Sequence, residues 1–204
     1  MEIAQWLVLL GVCTLGAMSP GPSLAVVTSH TLAGGRSHGV AAALAHGSGV
    51  ALYAALTVLG LTAALTARPG LFLVVQWIGA AYLAYLGCRL LLARAATGEA
   101  DTDTAPTARS PVREGFLVAF LNPKLAIFML AVFSQFLSEG AGLAQKAVMV
   151  ATAGAVDGLW YTLVALGLSH PRLQHRLRRQ AALIDRLFGL ALLALAVALL
   201  WRTA

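Results

Sequence analysis

Six apolar stretches, at roughly 3–30, 39–66, 70–93, 115–137, 143–168 and 183–201, constrain this 204-residue chain more than any other feature. A membrane-crossing helix needs about 20 mostly apolar residues. Hydrocarbon offers no water to the backbone, so each crossing segment has to satisfy its own N–H and C=O groups, as a helix does. Composition agrees: 59% of residues are hydrophobic and 11% charged, against about 25% charged in soluble domains. The chain has too little polar surface to cover a globule in water. The expected fold class is all-α integral membrane, six transmembrane helices in a single domain over 1–204.

The formal charge of +6 belongs to short loops. No basic face with interleaved aromatics exists to track a phosphate backbone, so nucleic acid is excluded as a partner. Arg36, Arg89, Arg94, Arg109, Arg113, Arg172, Arg176, Arg178, Arg179 and Arg186 fall in alternate connections, and only Arg68, Lys146 and Arg202 in the others. Basic loops stay in the cytoplasm, which places both termini outside. The N-terminal stretch lacks a basic region and a small-residue cleavage site, so it reads as a retained span of a multi-pass cell-membrane protein. Cys13 and Cys88 show no ligand spacing and are expected to pack.

The first and fourth stretches contain helix breakers: "AMSPGPSLAVV" at 17–27 and "FLNPKLA" at 120–126. Proline has no N–H to give and clashes with the preceding turn. Broken backbone at membrane depth is tolerated where it is buried in protein or lines a cavity. Pro22 and Pro123 each suit the first position of a restarted helix, and Asn122 is a good cap for the second. A restarted helix presents free N–H groups and a positive dipole end. Two such ends can converge on one anionic group; the plainer alternative is a pair of kinks that shape packing.

The breaks belong to a wider correspondence. "PSLAVV" at 22–27 matches "PKLAIF" at 123–128, and "ALYAALTVLGL" at 51–61 matches "GLWYTLVALGL" at 158–168, pairing Gly60 with Gly167. This divides the chain into repeat A (1–93), a polar loop (94–113) and repeat B (114–204). A unit of three spans crosses an odd number of times, so the second copy is inverted. Inverted repeats with broken helices at corresponding places mark secondary transporters.

Intramembrane charges are costly and tend toward function. Lys124 and Asp157 are the two strongly charged side chains well inside stretches, and both are expected to face the interior. Lys124 can attract a carboxylate. Asp157 can hold an ammonium or a proton. The alternative is that they neutralise each other. His46 can carry a proton, because imidazole changes charge near physiological pH. His38 and His46 share a helix side, but metal sites want three or four ligands, so no metal or cofactor is expected. His30, His170 and His175 read as solvated or headgroup contacts. "HGSG" at 46–49 and "GAAYLAYLG" at 79–87 are small-residue faces for close helix packing or a homodimer. Trp160 and Tyr161, just past Asp157, are candidates to line a cavity.

At these residues the chain resembles the LysE/RhtB family of amino-acid exporters. The similarity rests on "SPGPSLAVV", "GGRSHGVAAALAHGSGV", "WIGAAYLAYLGCRLL", "GFLVAFLNPKLAIFML" and "VDGLWY", in family order. The resemblance implies efflux of amino acids or close derivatives across the inner membrane, driven by an ion gradient, with protons as the expected ion in an antiporter. Members often carry Asp or Asn where Ser23 stands, and many carry Gly where His46 stands. The expected substrate site is Pro20, Gly21, Pro22, Ser23, Asn122, Pro123, Lys124, Asp157, Trp160 and Tyr161, with Asp157 and His46 coupling protons. Alternatives are efflux of another small amphiphile or a metal cation, a packing subunit, and an intramembrane enzyme. An enzyme needs a base paired with a nucleophile or a metal with three ligands.

Overall fold

The computed structural model describes residues 1–92, 110–138, 140–167 and 171–203. Among them the chain is helical, without strands: α1 (Ile3–Met18), α2 (Pro22–Ala67), α3 (Pro69–Leu92), α4 (Pro111–Phe120), α5 (Pro123–Phe136), α6 (Leu143–Gly167) and α7 (Pro171–Thr203). Of these, α2, α3, α4, α5 and α7 begin on proline. That position has an orphan N–H in any helix, so proline loses nothing there, and its fixed φ is already helical. In an apolar chain with few capping side chains, proline is the main start signal.

Both expected breaks are present. α1 ends at Met18 and α2 restarts at Pro22; α4 and α5 meet at a 55° bend. The turn between the first two apolar stretches differs from the sequence expectation of a loop across 31–38. Helix continues through it, and one residue, Gly35, reverses the backbone at φ 79° and ψ −177°. Only glycine adopts that conformation without a Cβ penalty. α2 is therefore two helical pieces joined at Gly35.

By length and apolar composition, Pro22–Ala64, Gly70–Leu92 and Leu143–Gly167 can each cross a membrane, and the bent α4–α5 pair adds a fourth candidate. α1 has 16 residues, about 24 Å of helix, which falls short of the ~30 Å hydrocarbon layer. α7 begins well before the apolar stretch at 183–201. The side chain of His175 and all of His170 lie outside the description, as does most of the 94–113 loop.

α2 packs chiefly on α6 and α4, α3 on α7 and α5, and α1 on α6 and α7. Apolar burial does not drive helices together in lipid, so close packing of small residues carries more weight. A Cβ on Gly47 would sit 2.7 Å from the Gly158 Cα, so α2 and α6 touch backbone to backbone. Gly87 and Gly189 do the same for α3 and α7, each blocking the other's Cβ at 2.7 and 2.8 Å. Buried Leu9, Val12, Leu83, Val132, Phe133, Met149 and Leu192 fill the space between helices. Leu44, Leu52, Leu56, Leu59, Leu159 and Leu163 face outward. Cys13 is buried, but Cys88, expected to pack, is exposed, because its helix turns the opposite face to the core. Threonine hydroxyls at 14, 31, 57 and 62 bond back to carbonyls one turn earlier, which satisfies them without a partner helix.

Candidate functional site

The site grows out of the first break. Ser19 ends α1 by donating its N–H to Leu15 O. Gly21 then precedes α2 in extended conformation, without a side chain to cap the new helix. Pro20, Gly21 and Pro22 are exposed, while Ser23 turns inward and is buried. Its Oγ lies 2.8 Å from His46 Nε2. The other imidazole nitrogen, Nδ1, lies 2.5 Å from Asp157 Oδ2. His46 is 2% exposed and Asp157 8%. The two halves of α2 and α6 thus meet in one buried chain, Ser23–His46–Asp157. The contact between Gly47 and Gly158 makes this possible: His46 and Asp157 are their chain neighbours, and side chains at Gly47 or Gly154 would push the helices apart.

An ionised carboxylate only accepts, so His46 Nδ1 carries the proton in that contact, and Nε2 is left to accept from Ser23 or, when protonated, to donate to it. Tyr161, one turn after Asp157, meets the His46 ring edge-on with centroids 5.0 Å apart. Beside it, buried Val27, Ala42, Ala43 and Ala165 form a small apolar cluster, with Trp160 partly buried against it. The Trp160 Nε1 is buried and has no hydrogen-bond partner among the described residues.

The second break is built differently. Asn122 Oδ1 accepts from the backbone N–H of Lys124 at 3.0 Å and of Leu125 at 3.3 Å. The first turn of α5 is capped from within. Pro123 and Lys124 are exposed, and Lys124 makes no ion pair among the described residues. The sequence alternative in which Lys124 neutralises Asp157 is therefore not what the structure has: the partner of Asp157 is His46.

Two polar contacts were not legible beforehand. Ser19 Oγ donates to Asp185 Oδ1 at 2.8 Å, which brings a second acid to the first break. His30, expected to be solvated, is buried and lies 2.9 Å from Glu114. α2 packs on α4, and there Glu114 offers the buried His30 a partner. Among the described residues no three His, Cys, Asp or Glu side chains gather into a metal site; His38 is exposed and apart from the buried His46.

The chain is thus a helical, multi-pass membrane protein with a buried Ser–His–Asp chain at a helix break, and its class, the translocators, follows from its relatives. The family model for LysE type translocators matches residues 14–203, and the chain belongs to that family. It is 27% identical to a threonine efflux protein of Salmonella typhimurium over 177 residues, covering 84% of this chain and 85% of that one. It is 29% identical to a leucine efflux protein of the same organism over 133 residues, 65% of this chain and 62% of that one. An uncharacterized membrane protein of Vibrio cholerae is 29% identical over 137 residues, 67% of each chain. No solved structure matches.

Proposed function

We propose that this chain is a secondary exporter that carries amino acids or close derivatives out of the cytoplasm in exchange for protons. The observation that carries this is the buried Ser23–His46–Asp157 chain at the break between α1 and α2. An intramembrane acid joined to an imidazole is a proton-handling group, and such residues in membrane spans mark ion and substrate pathways. Asp157 receives the substrate ammonium, Lys124 its carboxylate, and Trp160 and Tyr161 line the space beside them. The threonine and leucine efflux proteins among the relatives support amino acids as the substrate class.

The architecture that goes with this function is six spans in two inverted repeats, 1–93 and 114–204, with both termini outside the cell membrane. In this arrangement α1 and the first piece of α2 make one span, and α4 and α5 the equivalent span. The glycine contacts support it. The register that pairs Gly60 with Gly167 also pairs Gly47 with Gly154, and these two meet: a Cβ on Gly47 would lie 2.9 Å from Gly154 O, and one on Gly154 would lie 3.1 Å from Gly47 O. Equivalent residues in mutual contact are what a two-fold axis between repeats produces.

The test is uptake of labelled L-threonine and L-leucine into inside-out membrane vesicles, with and without an imposed proton gradient. Gradient-dependent accumulation is expected; no accumulation of any amino acid overturns the assignment. A second reading has a specific observation behind it. Ser23, His46 and Asp157 follow the order of nucleophile, base and orienting acid in acyl-transfer enzymes, so the base–nucleophile pair that the sequence lacked is present in space. Labelling of Ser23 by a fluorophosphonate would favour an intramembrane hydrolase.

A further inference from the structure

Resting on the export reading above, we infer that His46 and the substrate ammonium compete for the one carboxylate of Asp157, so that this carboxylate pairs with one positive charge at a time. Asp157 Oδ2 faces His46, while Oδ1 has no hydrogen-bond partner among the described residues, and the side chain keeps 12% exposure. One oxygen is tied to the imidazole and the other is open to a ligand. The groups facing this pair are Ser23 from the first piece of α2, Tyr161 from α6 and, within electrostatic reach of the carboxylate, Cys13 of α1. None of these described groups is a cation, so among them only a proton on His46 brings positive charge to the Asp157 carboxylate, and a ligand is the other source.

With His46 neutral, Nδ1–H donates to the carboxylate, Ser23 donates to Nε2, and the chain carries one negative charge. A primary ammonium at Oδ1 balances it. With a proton on Nε2, imidazolium and carboxylate already balance, and Nε2–H donates to Ser23 instead. An ammonium added then leaves an uncompensated buried cation, which a low-dielectric site disfavours strongly. Proton and ammonium exclude each other, and by linkage each weakens the other equally. This exclusion is what exchange requires, and it restricts coupled substrates to compounds with a free, protonated amine.

The experiment uses the purified full chain in weakly buffered detergent, with L-threonine and L-leucine as probes and N-acetyl-L-leucine as the amine-blocked control. Calorimetry reads affinity and an indicator dye reads protons. In the wild type, apparent affinity should fall about tenfold per pH unit on the acid side, as one competing proton requires, and binding there should release protons. The control should release none. His46→Gln and His46→Asn should bind with no pH slope and no proton release. A flat wild-type profile, proton release by the control, or a wild-type slope in either His46 variant overturns the inference while leaving export intact. A protein that neither binds nor exports the two amino acids overturns the export reading, and the inference with it.

Discussion

The two helix breaks look alike in sequence and differ in how their polar groups are satisfied. At the second, Asn122 caps α5 from within the same segment, and Lys124 stands exposed, without an ion pair among the described residues. At the first, Gly21 caps nothing, and the polar groups beside it reach other elements: Ser19 to Asp185 on α7, Ser23 to His46 and on to Asp157 on α6. A self-satisfied break is local and can be altered without disturbing its neighbours. A break satisfied across helices ties its geometry to their positions, so movement of either changes the chemistry. Two acids, Asp157 and Asp185, are tied to the first break, and an exposed cation, Lys124, sits at the second.

The largest effect is expected from Asp157→Ala. It removes the acceptor of a buried imidazole, which costs about 1–3 kcal/mol, and it should abolish gradient-driven export. Thermal unfolding in detergent and vesicle transport measure the two parts; full export would break the comparison at its stronger side. Lys124→Met should follow, with export reduced at least about tenfold, since one charge-assisted contact contributes about 1.5–3 kcal/mol, and with little change in unfolding temperature, because Lys124 is exposed and makes no ion pair among the described residues. A large stability loss would show that the second break is tied to other helices after all.

Asn122→Ala uncaps α5 and should lower stability by about 1 kcal/mol, read as a shift in unfolding midpoint, while export continues. Loss of export at normal abundance would mean that the cap does more than hold the helix. The smallest effect is expected from Gly21→Asn, which gives the first break the cap that the second already has. A Cβ at Gly21 meets nothing within 4 Å, so the change is sterically free and should stabilise by a few tenths of a kcal/mol. If it instead destabilises the protein, the open helix start is already held by another group.

What the sequence determined by itself was everything that depends on neighbours along the chain. The apolar runs required helices, because unsatisfied backbone is excluded from hydrocarbon. Pro20, Pro22 and Pro123 required breaks where they stand, because a missing N–H and a ring clash act within one turn, and Asn122 signalled its own cap. Gly35 was visible as a residue but not as a turn, since its positive φ, shared among the described glycines with Gly140 alone, is a backbone property that the sequence does not print. The tertiary structure alone decided partners. Asp157 had two candidate partners in sequence, Lys124 and a substrate, and the structure gave it His46, from a helix 111 residues away. His30 found Glu114 and Ser19 found Asp185 in the same way. A side chain's partner depends on the rotation and depth of two helices, and these follow from where glycines such as Gly47, Gly154 and Gly158 let backbones approach. That information is spread over many pairwise contacts, and no local stretch of sequence contains it.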